Sequence, residues 1–359
     1  MNSAIRSIFA LAIFAGALPP QAQSATAVLQ HGYDANVTSA NLAEITLNTS
    51  NVNVNANTFG LLFSLSVDDK LYAQPLYVPQ VAMPSLGTHN LLIVATMNDT
   101  VYAFDADAPG AALWSLNLAS LFSTTAVPWG QFQINSPPNS NNLGILSTPV
   151  IDPATNILYV VACTLENSTM AYRLHAIDIT TGSEPYGPGV LISGSYGNVT
   201  FNARYLTQRL SLALAGSPAN QVVFGFGAME QESNSIGNYV GWVMAYDKLT
   251  LRQTGAFATV STGNGGGGVW QSGRPPAVDS TGDFYVFSGN GWGNGYDGVN
   301  DFSESVLKFD VSNGLKLVDW FTPSNWLWLD NHDHDLTSSG PMLIPDTSPQ
   351  LLAGGGKEG

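Results

Sequence analysis

The sequence predicts an all-β fold, a β-propeller built from four-stranded blades. Three observations carry that expectation. A short pattern recurs at VYAFDADAPGAALW (101–114), HAIDITTG (175–182), MAYDKLTL (244–251) and LKFDVSNG (307–314). Its aspartates, Asp105, Asp178, Asp247 and Asp310, stand 73, 69 and 63 residues apart. Repetition at a near-constant interval marks an architecture of stacked units. The composition agrees: 36 Gly, 20 Pro, 13 Tyr, 16 Phe and 8 Trp, with only 10% charged residues, suit many short strands joined by turns. Finally, short apolar runs precede each Asp pattern, and several open on proline, which belongs at a strand start or a sheet edge.

In chain order, residues 1–24 read as a secretory signal: Arg6 at the start, an apolar Ser7–Leu18 run too short to span a bilayer, and small residues at Ala22-Gln23-Ser24. The protein is therefore expected to be secreted or periplasmic, with no membrane span after the signal is removed. Residues 25–57 are polar and Asn-rich and read as an extended surface arm. Phe59–Val67 reads as the first strand. The propeller occupies 58–359, with blades at about 68–118, 143–197, 205–260 and 266–322, and an incomplete one at 334–359. First strands are QPLYVP (74–79), STPVID (147–152), RLSLAL (209–214), RPPAVD (274–279) and GPMLIPD (340–346). Second strands are LLIVAT (91–96), ILYVVA (157–162), VVFGFG (222–227), DFYVFSG (283–289) and LLAGGG (351–356). The Asp pattern is the third strand, and a fourth follows its turn. Four radial strands make one propeller blade. The fifth unit stops after two strands, so the expectation is a ring truncated to about four and a half blades.

Charge excludes some partners. The formal net charge is −15, with 11 Lys+Arg against 26 Asp+Glu, which repels nucleic acid and anionic membrane surfaces. The single cysteine, Cys163, lies in the apolar run ILYVVAC, so no intrachain disulfide forms and a buried, inert thiol is expected. No CxxCH is present, so no c-type haem attaches to this chain. The oligomeric state is not legible.

The Ala-x-Asp-x-x-Thr-Gly turn followed by Trp resembles the repeat of the quinoprotein dehydrogenases, eight-bladed propellers that bind pyrroloquinoline quinone (PQQ) and usually calcium. GGGGVWQSGRPPAVDSTGDFYVFSGNGWGN (265–294) resembles the segment that supplies a tryptophan beneath the quinone and an asparagine to calcium. The resemblance implies Trp270 for the first and Asn294 for the second. FTPSNWLWLDNHDHDL (321–336) resembles the segment carrying the catalytic base, implying Asp333 or Asp335. GGGKEG (354–359) resembles the segment whose cation contacts the quinone oxygens, implying Lys357. GAME (227–230) implies Glu230 as a calcium ligand. The family's adjacent cysteine pair has no counterpart here.

The chemistry suits those residue types. An indole offers the largest face to a flat quinone. Calcium takes hard oxygen donors and acts as a Lewis acid. A carboxylate takes the alcohol proton as hydride leaves, and a lysine steadies the negative charge that develops. Each residue also has a purely architectural reading: Trp270 filling a gap between blades, Asn294 serving a left-handed turn, Glu230 and Lys357 solvated. The run Asp330, His332, Asp333, His334, Asp335 could present imidazoles and carboxylates to a divalent metal on alternate sides of an extended strand. Two functions stay open: oxidation of a small-molecule alcohol or sugar with PQQ and calcium, or a non-catalytic secreted propeller that binds a partner through its face loops.

Overall fold

A computed structural model describes residues 26–53, 59–132, 141–229, 239–262, 265–293 and 295–359. The chain is all-β, and its sheets are antiparallel and separate. The first joins Leu76–Met83, Gly87–Ala95, Thr100–Asp105 and Trp114–Asn117 in sequence order. The second joins Val150–Asp152, Ile157–Glu166, Thr169–Asp178 and Val190–Leu191 in the same meander. In the third, the innermost strand is broken into Leu206–Thr207 and Ala213–Ala215, both paired with Gln221–Ala228, followed by Trp242–Asp247 and Gln253–Ala258. The fourth joins Ala277–Val278, Phe284–Phe287, Val306–Asp310 and Lys316–Phe321. A hairpin of Met342–Ile344 and Leu351–Ala353 follows.

The repeated aspartates have a local cause. Each is the last residue of its blade's third strand. Its carboxylate accepts the amide two residues on: Asp105 from Asp107 (2.9 Å), Asp178 from Thr180 (2.8 Å), Asp247 from Leu249 (3.2 Å) and Asp310 from Ser312 (2.7 Å). The side chain replaces the next ladder bond and turns the backbone, which is why Asp recurs there.

Strand alternation then builds the stack. Along Ile157–Glu166, Leu158, Val160 and Ala162 pack toward the first blade, while Tyr159, Val161 and Cys163 pack toward the third. Along Gln221–Ala228, Phe224 and Phe226 face the second blade and Val223 faces the fourth. Sheets apolar on both faces must be covered on both faces, so they line up side by side. Cys163 is fully buried in this core, and burial pushes its thiol pKa well up.

The first strand expected at Phe59–Val67 does not form. Phe59–Val67 forms no ladder, and Leu61 and Leu62 are 85% and 90% exposed. An apolar run without a partner strand does not become one. Pro79 also reshapes its strand: the register shifts between Val78 and Val81, where Gln80 takes a φ of 55°. The arm ahead of it is tied down over residues 28–37. It exchanges hydrogen bonds with Tyr77 through Val28, and its carbonyls at Leu29, Ala35 and Asn36 accept from Ile151, Val278 and Leu343. It therefore crosses the innermost strands of the first, second, fourth and fifth units. The signal segment 1–24 lies outside the described residues. Among the described residues no helix is long and apolar enough to cross a membrane.

Candidate functional site

The site is organised by close backbone packing between the third and fourth blades. The Gly-rich run does this. Gly266 has a φ of +96°, and a Cβ there would lie 2.6 Å from the Gly291 Cα, so only glycine allows the approach. Gly267 N donates to the Asn290 carbonyl at 2.6 Å and Gly289 N to the Gly268 carbonyl at 2.9 Å. These bonds fix Asn290 where the fourth blade meets the segment that follows it.

That segment is a helix, not an extended strand. Trp326–His332 is helical, and Asp333 caps it in the left-handed region at φ 56°. The expected alternation of histidines and aspartates is therefore absent. His332 Nδ1 pairs with the Trp328 carbonyl at 2.8 Å, and its ring stacks on the Trp328 indole. His334 pairs with Glu358 at 2.5 Å. Among the described residues no group of three or more His, Cys, Asp or Glu has the geometry to hold a metal ion.

Three of the expected residues come together. Lys357 Nζ lies 2.7 Å from Asp335 Oδ2 and 3.1 Å from Asp333 Oδ1, and it also donates to the Asp333 carbonyl at 2.7 Å. Burial works against the ammonium, but the two carboxylates outweigh it and raise its pKa. Asp333 is 79% exposed and Asp335 24%. Trp270 is 36% exposed, so it does not fill a sealed gap between blades. It lies over Gly227, where a Cβ would sit 3.4 Å from the indole. The backbone amides of Trp270 and Gln271 donate to Thr337 Oγ1 at 3.1 and 3.0 Å. Gly289 connects the two groups: a Cβ on it would lie 2.5 Å from Thr337 and 2.7 Å from Asp335 Oδ1. Glu230 and Asn294 lie outside the described residues.

Sequence reasoning missed Asn290, Glu304 and Tyr239 here, and read Asp330 only as part of a metal-binding run. Asn290 donates its backbone amide to Asp335 Oδ1 (3.2 Å) and its side-chain amide to Asp333 Oδ1 (2.8 Å), while its own Oδ1 is buried without a partner. It sits four residues before Asn294 in the same Gly-rich turn, and spacing alone did not separate the two. Asp330 accepts from Gly291 N (2.9 Å) and Ser303 (3.2 Å), and burial raises its pKa to about 6. Glu304 is fully buried with a φ of 47°. Its Oε2 accepts from Leu336 N at 2.6 Å and its Oε1 has no partner. Burial pushes its pKa up to about 8, against the Leu336 bond and with the help of Asp335 and Asp330. Tyr239, whose hydroxyl reaches the Asn290 carbonyl at 3.4 Å, is held firmly as the phenol by burial and the same carboxylates. The arrangement offers two carboxylates on one lysine, unsatisfied oxygen acceptors and a partly exposed indole. Nearby, an apolar cleft of about 400 Å³ between the fourth blade and the last hairpin, lined by Phe287, Trp320, Leu336 and Leu352, lies apart from these groups and holds Lys308 and Asp319 as its charged residues.

No family model and no curated protein matches this sequence. Solved structures do. Quinohemoprotein alcohol dehydrogenase ADHIIG from Pseudomonas putida HK5 superposes with a TM-score of 0.58 and 18% identity, over 93% of this chain and 45% of that one. The quinohemoprotein alcohol dehydrogenase from Comamonas testosteroni gives 0.56 and 17%, over 90% of this chain and 45% of that one. At this identity the likeness is one of fold. The chain thus carries the propeller fold seen in quinohemoprotein alcohol dehydrogenases, and spans a little under half of their length.

Proposed function

We propose that this chain is part of an exported, PQQ-dependent dehydrogenase-like propeller that oxidises an alcohol or sugar, with calcium beside the quinone. In this reading its sheets belong to an eight-bladed ring, and residues 1–24 direct export. One observation supports it most: Asp335 is held between the Lys357 ammonium and the Asn290 amide, beside an Asn290 oxygen that is buried and unpaired. The quinone would supply the hydride acceptor.

The residues present fit those groups. A hard cation takes amide and carboxylate oxygens, and Asn290 Oδ1 is an acceptor with nothing to accept from. Asn290 joins Asn294 as a proposed amide ligand, with Glu230 as the carboxylate companion and Asp335 alongside. Trp270 provides the floor, with one edge over Gly227 and a third of its surface open.

Asp335 is the proposed base, ahead of Asp333. Its Oδ2 would receive the substrate hydroxyl proton, while the Asn290 amide on Oδ1 fixes the carboxylate plane. Lys357 lies 2.7 Å from that carboxylate and presents positive charge to oxygens that become negative. Glu304, whose pKa burial raises to about 8, is mostly protonated near neutral pH and adds little negative charge beside the base.

The test is dye-linked oxidation of primary alcohols and aldose sugars by the full chain given PQQ and calcium. Dye reduction that requires both additions and fails in Asp335→Asn supports the reading. No reduction, together with no retention of PQQ after desalting, refutes it in favour of a binding module.

A further inference from the structure

Two guanidiniums and an imidazole meet where the inner ends of the blades converge, and among the described residues no carboxylate pairs with them. Arg209 occupies the break in the third blade's innermost strand, between Leu206–Thr207 and Ala213–Ala215. Its Nη1 donates to the carbonyls of Leu146 (2.9 Å) and Tyr72 (3.4 Å), just ahead of the innermost strands of the second and first blades. Its guanidinium lies against the fourth blade: a Cβ on Gly273 would sit 2.6 Å from Arg209 Cζ. The next residue is Arg274. It donates from Nη2 to the Val37 carbonyl at 2.8 Å, and its Nε is buried with no partner. His31, on the arm that crosses the inner strands, has a buried Nδ1 with no partner.

Burial lowers the pKa of both arginines, and it brings His31 down to about 4, with Arg274 and Arg209 adding to the effect. The chain carries 26 acidic residues, yet among the described residues the partners of the two guanidiniums are carbonyl oxygens. Desolvated guanidinium without a counter-charge is unfavourable, and unmade donors add to the cost. A guanidinium fork matches an oxyanion with two parallel N–H bonds.

We propose that Arg209, Arg274 and His31 form a binding site for a small oxyanion, of phosphate or carboxylate type, at the hub of the disc. The anion takes N–H donors from both arginines and from the neutral imidazole. Since His31 belongs to the arm, an occupied site fastens residues 28–37 onto the blades. The site uses none of the residues assigned to the quinone and stands whether or not the chain binds one.

The experiment is calorimetric titration of the full chain with sodium phosphate and, separately, sodium acetate, in a zwitterionic buffer at constant ionic strength. One saturable site per chain is expected with at least one anion, and the two arms identify the preferred shape. Arg209→Gln and Arg274→Gln should each weaken it at least ~10-fold. Absence of saturable heat with both anions overturns the proposal, as does binding by both variants as tight as that of the unaltered chain. Should the variants not fold, hydrogen exchange on the unaltered chain decides. Anion-dependent protection of residues 28–37 supports the site, and unchanged exchange there overturns it.

Discussion

Lys357 Nζ stands 2.7 Å from Asp335 Oδ2, and this pair joins the last described turn of the chain to the segment behind the helix Trp326–His332. The lysine is 40% exposed, so the pair does little for folding. Lys357→Met should cost under ~1 kcal/mol in urea unfolding. Its effect on dye-linked oxidation should be far larger, about 10²-fold or more, if the ammonium steadies charge that develops during turnover. Equal small effects on both would place Lys357 outside the chemistry.

The two neighbouring aspartates should separate kinetically. Asp335→Asn keeps the oxygen that accepts the Asn290 amide and removes the base, so the rate should fall ~10²–10⁴-fold with folding intact. Asp333, 79% exposed, should tolerate Asn with a change below about threefold. A reversed order in the steady-state rates would transfer the role to Asp333.

Glu304 should make stability fall as pH rises. Its pKa is about 8 in the fold and near 4.5 when unfolded. Between those values the native state keeps a proton that the unfolded chain has released, so alkali favours unfolding across that window. Asp330 adds a smaller effect of the same sign between the ordinary aspartate value of 3.8 and about 6. Glu304→Gln should flatten the profile and gain at least ~1 kcal/mol relative to the unaltered chain at pH 8. Denaturant midpoints at pH 5, 6.5 and 8 check it. Parallel profiles for the two proteins would show that Glu304 does not hold its proton.

Gly289→Ala should damage the site without touching a charged group. The added methyl meets Thr337 and Asp335 Oδ1 at 2.5 and 2.7 Å, and both must move. Overpacking of this kind costs ~1–3 kcal/mol, and oxidation should drop because Asp335 is displaced. A thermal melt and rate matching those of the unaltered protein would mean that the site has slack.

Cys163 should resist thiol reagents in the native state and react only on unfolding, since it is fully buried with a raised pKa. Labelling with and without urea, followed by mass, reads this directly. Rapid native labelling would contradict the packing of the second blade against the third.

The blade pattern was legible because its cause is local. The Asp that ends each third strand bonds an amide two residues on, so the chemistry is written in consecutive letters. Alternating apolar residues such as Leu158 and Tyr159 likewise report their two covered faces. The site was legible only in part. Lys357, Asp333 and Asp335 stand in short distinctive runs, and they do meet. Asn290 was hidden by a second asparagine in the same turn. Glu304 gives no local signal, because its burial comes from contacts with the segment around Leu336, 32 residues away. The helix at Trp326–His332 was misread for a related reason: the Asp/His composition of 330–335 suggested metal chemistry, while Trp328 and its ring contacts set the conformation.

Equilibrium binding of PQQ to the full chain in excess calcium, measured for the unaltered protein and for Trp270→Ala, tests the central claim most directly. One quinone retained per chain, with affinity lowered at least ~10-fold by the substitution, is the expected result. No saturable binding by the unaltered protein, or identical binding by both, would contradict the account.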